Sequence, residues 1–355
     1  PTSGVMRLID LAGNRVEIST ALHVSRRGGR WRGVPESVSH GDVIELHCEA
    51  PISVSQFRGD PRRYAGFIRL LAGDQHDQFM VINVVPMEEY IPGVLAGELF
   101  EGWHDAVFEA QAIAARGFAI SECQQRRRKD WDVTDTQASQ AYVGIPSWPQ
   151  ATTCATKTRG NVPVWQGGVL PGYFSSCCGG RAATARDSIG PNPLNDIPPL
   201  QGHIAPPKCQ TAPLYEREME WNAQDVRDVL RRWGRDHTHD GLATLGRITS
   251  ISGSDPNQHD RPTKLEIHTD HGTVHIRCVD FPAMLSGGGA KRLKPPWSGW
   301  VNGTVANGRL TVKGHGFGHG VGLCQYGAQG MAGQGANAQE IISFYYPSVD
   351  IVTAW

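Results

Sequence analysis

The sequence predicts an α+β protein, a strand-rich core with a few helices framing a cleft. Three observations predict it. Short β-prone segments separated by Gly, Pro and Asp fill residues 1 to about 80 and recur over 246–280. One long segment, residues 103–129, carries a helical stripe of small and apolar side chains. Residues 221–236 and 337–347 add shorter helix signals. No internal repeat is visible.

Taken in order, "VMRLIDL", "DVIELHC", "ISVSQF" and "GFIRLL" read as strands, and "FMVINVV" as a strongly apolar one. "PMEEYIPGVLAGELF" reads as a short helix entered at Pro86, which Pro92 and Gly93 could break. In residues 103–129, Ala106, Val107, Ala110, Ile113, Ala114, Gly117 and Phe118 form one tightly packing stripe. The cations 126–129 complement the helix C-terminus. "TRGNVPVWQGG" and "PGYFSSCCGGRAATA" return to strands and turns. "WNAQDVRDVLRRWGRD" is an amphipathic helix, and "GRITSISGS", "TKLEIHTD" and "GTVHIRCVD" alternate as hairpin strands. "NAQEIISFYYP" starts at an Asn cap and stops at Pro. The expected domains are 1–78, strand-rich; 79–190, a core; 191–300, a helix plus β-hairpin subdomain or insertion; and 301–355, the C-terminal part of the core with its closing helix.

The 355 residues allow one large or two to three small domains. A net charge of -1 demands no nucleic-acid partner. No apolar run approaches the roughly 18 residues of a membrane span. The chain begins "PTSGVMRLID", as a processed or trimmed product would, so whether a membrane anchor belongs to it stays open. None of the eight cysteines forms a CxxC pair, which weighs against a zinc ribbon. An even count suits disulfides as well as buried thiols.

The densest candidate for chemistry is "KGHGFGHGVGLCQYGAQGMAGQG", where His315 and His319 stand four apart among alternating glycines. So much glycine disfavours a helix, and there is no HExxH, so a metal pair is a weak reading. The glycine register fits neither phosphate-loop pattern. A polar cleft wall and two structural histidines bonded to backbone remain. Glu98 in "GVLAGELF" is either an exposed helix-end residue or a carboxyl in apolar surroundings suited to general acid work. Arg116, among alanines, snorkels or pairs with a buried carboxylate. In "YFSSCCGGRAATA", Ser175, Ser176, Gly179 and Gly180 form a plain turn or one that presents hydroxyls and N–H groups to a ligand. Cys177 and Cys178 rarely bridge each other; one could reach a partner elsewhere.

In this order and spacing the pieces resemble the SpoIID/LytB family, the stage II sporulation protein D type. "VINVVPMEEYIPGVLAGELF", "AVFEAQAIAARGFAIS", "DVTDTQASQAYVG", "TRGNVPVWQGGVLPGYFSSCCGG" and "GHGFGHGVGLCQYGAQGMAGQGANAQEIISFYYPSVDI" resemble its successive blocks, across residues 55 to 352. The resemblance implies a peptidoglycan lytic transglycosylase with Glu98 as its single catalytic glutamate, acid first and base second. It implies substrate contacts from Arg116, Gln140, Tyr142, Ser175, Ser176, Gly179, Gly180, His315, His319, Gln325 and Tyr326. It implies no cofactor. The implied substrate is glycan strands stripped of stem peptides, so an N-acetylmuramoyl-L-alanine amidase is the expected partner and an extracytoplasmic location, periplasm or cell wall, follows. The alternative is a non-catalytic, glycan-binding amidase modifier. Zinc-binding members carry His and Cys where Ala138 and Ser139 stand here, so that zinc site is expected to be absent, and the metal set is expected to be none. Phe174 stands where His is common, Cys324 where Ser is common, and Cys177 and Cys178 are unusual.

Overall fold

A computed structural model describes residues 5–18, 21–39, 41–55, 61–203, 207–287 and 293–355. The fold is α+β, with strands in several sheets and helices between them. Its contacts gather into two compact units. The first comprises residues 1–102, 122–160 and 355, and the second 103–121 and 161–354.

The first unit is built on a five-stranded antiparallel sheet ordered Arg15–Ile18, Met6–Asp10, Val43–His47, Phe67–Ala72, Phe79–Val84. Alternate residues of a strand share a face. Leu8 lies opposite Leu46, Leu46 opposite Ile68, and Ile44 opposite Leu70, and all five are buried. Trp31, Val38 and Ile52 close over them. Each such side chain contributes about 1.5–3 kcal/mol of burial. The intervening positions face outward, where Glu45 meets Arg69 at 2.8 Å and His47 stacks on Phe67. Of the expected strand "ISVSQF", Ile52–Val54 pairs with Arg62–Tyr64; Gln56 and Phe57 lie outside the described residues. The helices Met87–Glu98 and Pro149–Lys157 pack together in this unit.

The second unit holds a six-stranded antiparallel sheet ordered Glu216–Asn222, Arg309–His315, Val301–Ala306, Ile248–Pro256, Pro262–Thr269, Gly272–Arg277. Strands from either side of residue 300 therefore share one sheet. The helix Ala223–Asp236 is capped by Asn222, whose side chain accepts from the Gln224 and Asp225 N–H groups. Its Val226, Val229 and Leu230 join Leu265, Ile267, Leu310, Val312 and Phe281 in one core. Tertiary burial explains why so charged a helix holds.

The long helix runs Asp105–Gln125, shorter at both ends than the sequence pattern suggested. Its burial is wider than one stripe: Ala112, Ala115 and Arg116 are buried along with Ala110, Ile113 and Ala114. A helix buried on most sides needs small side chains where neighbours approach. A Cβ on Gly117 would stand 2.5 Å from the Leu170 carbonyl, so glycine lets the 163–170 hairpin lie close. The closing helix, Ala338–Tyr345, carries a full capping box between Asn337 and Glu340. No helix among the described residues is long and apolar enough to cross a membrane.

Candidate functional site

Glu98 ends the helix Met87–Glu98 of the first unit. Pro86 caps that helix, and Pro92 and Gly93 sit inside it without breaking it. The reason is packing. Gly93 and Gly97 stand four apart on one helix face. A Cβ at Gly97 would meet the Ala141 carbonyl at 2.5 Å, and one at Gly93 would run into the Gly144 carbonyl and the Tyr142 ring. The bare face thus accepts residues 141–144 as a strap, and the Val143 N–H donates to the Gly93 carbonyl at 3.3 Å. The strap brings the Ala141 N–H to Glu98 Oε1 at 2.7 Å. Glu98 is partly exposed, so one carboxylate oxygen is fixed by backbone at the unit's surface.

Gln140 and Tyr142 belong to the same strap, and both are buried. The Tyr90 hydroxyl donates to Gln140 Oε1 at 3.1 Å, and the Tyr142 hydroxyl to Asn83 Oδ1 at 2.9 Å. Burial pushes both tyrosines up and keeps them neutral donors. These two candidates hold the strap that holds Glu98; their side chains are not displayed to solvent.

The glycine–histidine loop lies in the second unit. Gly316, Gly318, Gly320 and Gly322 all adopt φ between +66° and +94°, which accounts for glycine at every second place. Gly316 also sits where a Cβ would meet the Cys177 carbonyl at 2.5 Å. Four of the loop's amides are spoken for. Gly316 N–H donates to Tyr215 (2.9 Å), Phe317 to Cys177 (2.7 Å), Gly318 to Trp297 (2.9 Å) and Leu323 to Tyr173 (3.0 Å), all to carbonyls. A phosphate cradle needs free amides, and these four are already bonded to carbonyls.

The two histidines differ. His319 Nδ1 accepts the Val321 N–H at 3.0 Å, and the ring also bonds the Phe174 backbone. This is the structural-histidine arrangement, with the ring committed to backbone. Burial, and next the Arg261 guanidinium, push His319 from 6.5 down to about 4. The unfolded chain therefore binds a proton that the folded chain refuses between those values. Stability should fall as pH drops through that window, by roughly 3 kcal/mol in full. Asparagine can offer an oxygen in place of Nδ1. Urea unfolding at about pH 7 and about pH 5 should show a flatter pH slope for His319→Asn than for the parent; equal slopes would refute the assignment. His315 is half-buried, stacks on Trp300 at 4.5 Å between centroids and faces Glu216 at 3.7 Å. Burial lowers its pKa against the pull of Glu216.

The turn that carries Ser175, Ser176, Gly179 and Gly180 interlocks with this loop. Cys177 and Phe317 exchange backbone hydrogen bonds, and Phe174–Ser175 pairs in parallel with Leu323–Cys324. Ser175 is buried and its hydroxyl has no hydrogen-bond partner among the described residues. Ser176 and Tyr326 are partly exposed, joined by the Tyr326 N–H to the Ser176 carbonyl at 3.1 Å. The Tyr326 ring meets Trp103 edge-on at 4.9 Å. Gln325 is buried, and Arg116 is fully buried, so it does not snorkel. The structure thus gathers Glu98, Gln140 and Tyr142 within one unit, and the other nine candidates lie in the second.

Sequence reasoning missed two features. Gln111 is fully buried with both amide atoms unpartnered among the described residues; a lone Gln among alanines was its signal. Cys177, Cys209 and Cys324 converge, and they are the group of His, Cys, Asp or Glu side chains that does so among the described residues. Hydrogen bonds from Cys209 and Cys324 hold the Cys177 thiol down to about 4, while the partner Cys324 is pushed up. A cavity of about 440 Å³ lies elsewhere, beside Asn222, Arg227 and Arg247, and contains none of the candidates.

Comparison with known proteins gives the context. Residues 75–165 match the family described as stage II sporulation protein, SpoIID. An uncharacterized protein of Brachyspira hyodysenteriae is 31% identical over 280 residues, covering 78% of this chain and 69% of that protein. Stage II sporulation protein D of Bacillus amyloliquefaciens is 26% identical over 297 residues, covering 77% of this chain and 76% of the relative. A Bacillus subtilis protein named amidase enhancer is 22% identical over 349 residues, covering 89% of this chain and 48% of its own length. The matched segment contains the helix that ends at Glu98, the glycine face beneath the strap, and the strap itself, and the chain belongs to the SpoIID family of stage II sporulation proteins.

Proposed function

We propose that this protein is a lytic transglycosylase that cleaves the bond between N-acetylmuramic acid and N-acetylglucosamine in peptide-free glycan strands. The observation that carries the reading is the partly exposed Glu98 carboxyl, held through one oxygen by the Ala141 N–H. A carboxyl held in place and partly open to solvent is what proton transfer requires. Glu98 gives its proton to the glycosidic oxygen as the C1–O bond breaks and positive charge develops at C1. The carboxylate then takes the proton of the C6 hydroxyl of the same muramic sugar, whose oxygen bonds C1. The products are a 1,6-anhydro end and a free N-acetylglucosamine hydroxyl, with no water consumed. Hydrolysis would use two carboxylates around the bond, whereas an internal nucleophile needs one. Such a substrate puts the protein's work outside the cytoplasm, in periplasm or cell wall, after an amidase has removed the stem peptides.

The test is mass spectrometry of peptide-free strands incubated with the protein. Fragments ending in 1,6-anhydro-muramic acid support the reading. Reducing ends formed by water would make it a hydrolase, and Asp135 would be the first second carboxylate to examine. A second reading, an amidase modifier that binds glycan without cutting it, is favoured by the relative named amidase enhancer. It expects bound but uncut strands and a faster amidase in the mixture.

A further inference from the structure

Thiols from three distant segments meet inside the second unit. Cys177 Sγ lies 3.2 Å from Cys209 Sγ, and Cys209 Sγ lies 3.5 Å from Cys324 Sγ. All three are buried, with sulfurs within 4.8 Å of one another. Cys178 Sγ is 3.8 Å from Cys209 Sγ and is buried too. A zinc–thiolate bond is about 2.3 Å, so tetrahedral coordination sets ligand sulfurs about 3.8 Å apart. Around Cys209 the sulfurs already stand close to that spacing.

The surroundings suit negative sulfur. The Cys178 N–H donates to Cys324 Sγ and the Gly179 N–H to Cys177 Sγ, each at 3.4 Å. Such backbone donors are the outer shell that thiolate ligands need. The Arg261 guanidinium is buried beside the same turn. It donates to the Cys178 carbonyl at 2.6 Å and the Arg181 carbonyl at 2.8 Å, and lies over the Trp300 ring at 5.3 Å. Among the described residues no carboxylate pairs with it. A buried cation is costly without a nearby anion. Four thiolates around a divalent ion carry a net charge of about −2, which supplies one. The Tyr345 hydroxyl is buried with no hydrogen-bond partner among the described residues, and it crowds the same face of Gly327 as Cys324 Sγ.

We propose that Cys177, Cys178, Cys209 and Cys324 bind a structural zinc ion. Each thiol releases its proton to solvent and bonds the metal through sulfur, so all four positions are closed to water. The ion ties the turn under the glycine–histidine loop to the short helix Pro207–Thr211 and to the start of the helix Gln325–Ala332. The site shares no residue with Glu98 and is independent of the transglycosylase reading.

The experiment is elemental analysis of the full chain purified without chelator, with titration of its thiols before and after denaturation in chelator. One zinc per chain is expected. The four cysteines should be shielded from thiol reagent until the metal is released, and Cys209→Ser should lose the zinc. If Cys209→Ser does not fold, cobalt(II) added to the metal-stripped parent carries the test. It should give an intense sulfur-to-cobalt charge-transfer band and tetrahedral d–d bands, saturating at one equivalent. A Cys177–Cys209 disulfide in non-reducing peptide maps would overturn the proposal. So would iron with acid-labile sulfide, or four reactive thiols that take up neither zinc nor cobalt.

Discussion

Glu98→Gln should abolish the cleavage of peptide-free glycan strands, slowing release of 1,6-anhydro fragments by about a hundred- to ten-thousand-fold. Glutamine keeps an oxygen that can accept the Ala141 N–H, so the strap should stay and the melting temperature should hardly move. What is lost is the proton that is given and taken back. Glu98→Asp keeps the proton but withdraws the carboxyl by one methylene. A misplacement of about 1 Å at a reacting group costs on the order of a hundredfold, so the aspartate variant should be slow rather than dead. Both are read as initial rates of anhydro-end formation against an unchanged unfolding curve. A Glu98→Gln protein that cuts at the parental rate would remove Glu98 from the chemistry. A parent that itself leaves the strands uncut yet speeds an amidase, with Glu98→Gln doing the same, would favour the modifier reading.

The largest effect on stability should come from Gly322→Ala. Gly322 has φ +66°, and a Cβ there would be driven into the Tyr173 carbonyl oxygen and stand 2.9 Å from the Tyr346 ring. Neither can yield. The Tyr346 hydroxyl donates to that same Tyr173 oxygen at 2.6 Å, and the Leu323 N–H donates to it at 3.0 Å. Tyr346 is fully buried, and burial pushes its hydroxyl up so that it remains a donor. We expect a loss of about 4 kcal/mol or more, the range of clashes in a packed interior. Gly335→Ala is the control. Its φ is +96°, but a Cβ there would meet open space. Only the left-handed backbone would be strained, at about 1–2 kcal/mol. Urea midpoints should separate the two variants clearly, and equal losses would show that sterics at Gly322 are not what glycine relieves.

The position of Glu98 at a helix end was legible locally, but its two local readings stayed open, and a catalytic role was implied only by the family resemblance. The helix caps were legible locally too: Asn222 and Asn337 act on N–H groups within three residues of themselves. The alternating glycines announced unusual backbone, and all of Gly316, Gly318, Gly320 and Gly322 have it. What those glycines surround was less legible. His319 stood open between a cleft-wall residue and a structural histidine, and its ring nitrogens are engaged with the backbone at Val321 and Phe174. The resemblance implied substrate contacts from Gln140 and Tyr142; in the fold they are hydrogen-bonded to Tyr90 and Asn83.

The sequence by itself determined the class of fold, the Asn caps of two helices, and the run of alternating glycines whose backbone is left-handed. Those features depend on alternation, capping and backbone angle over a few residues. Tertiary structure alone decided the rest. Pro92 and Gly93 stay in a helix because residues 141–144 cover its bare face. Arg261 stays buried because carbonyls of Cys178 and Arg181 receive it. The thiols of Cys177, Cys209 and Cys324 meet although they stand 32 and 115 positions apart. Contacts over such separations are set by how sheets and loops close on one another, and no local pattern of residues carries that information.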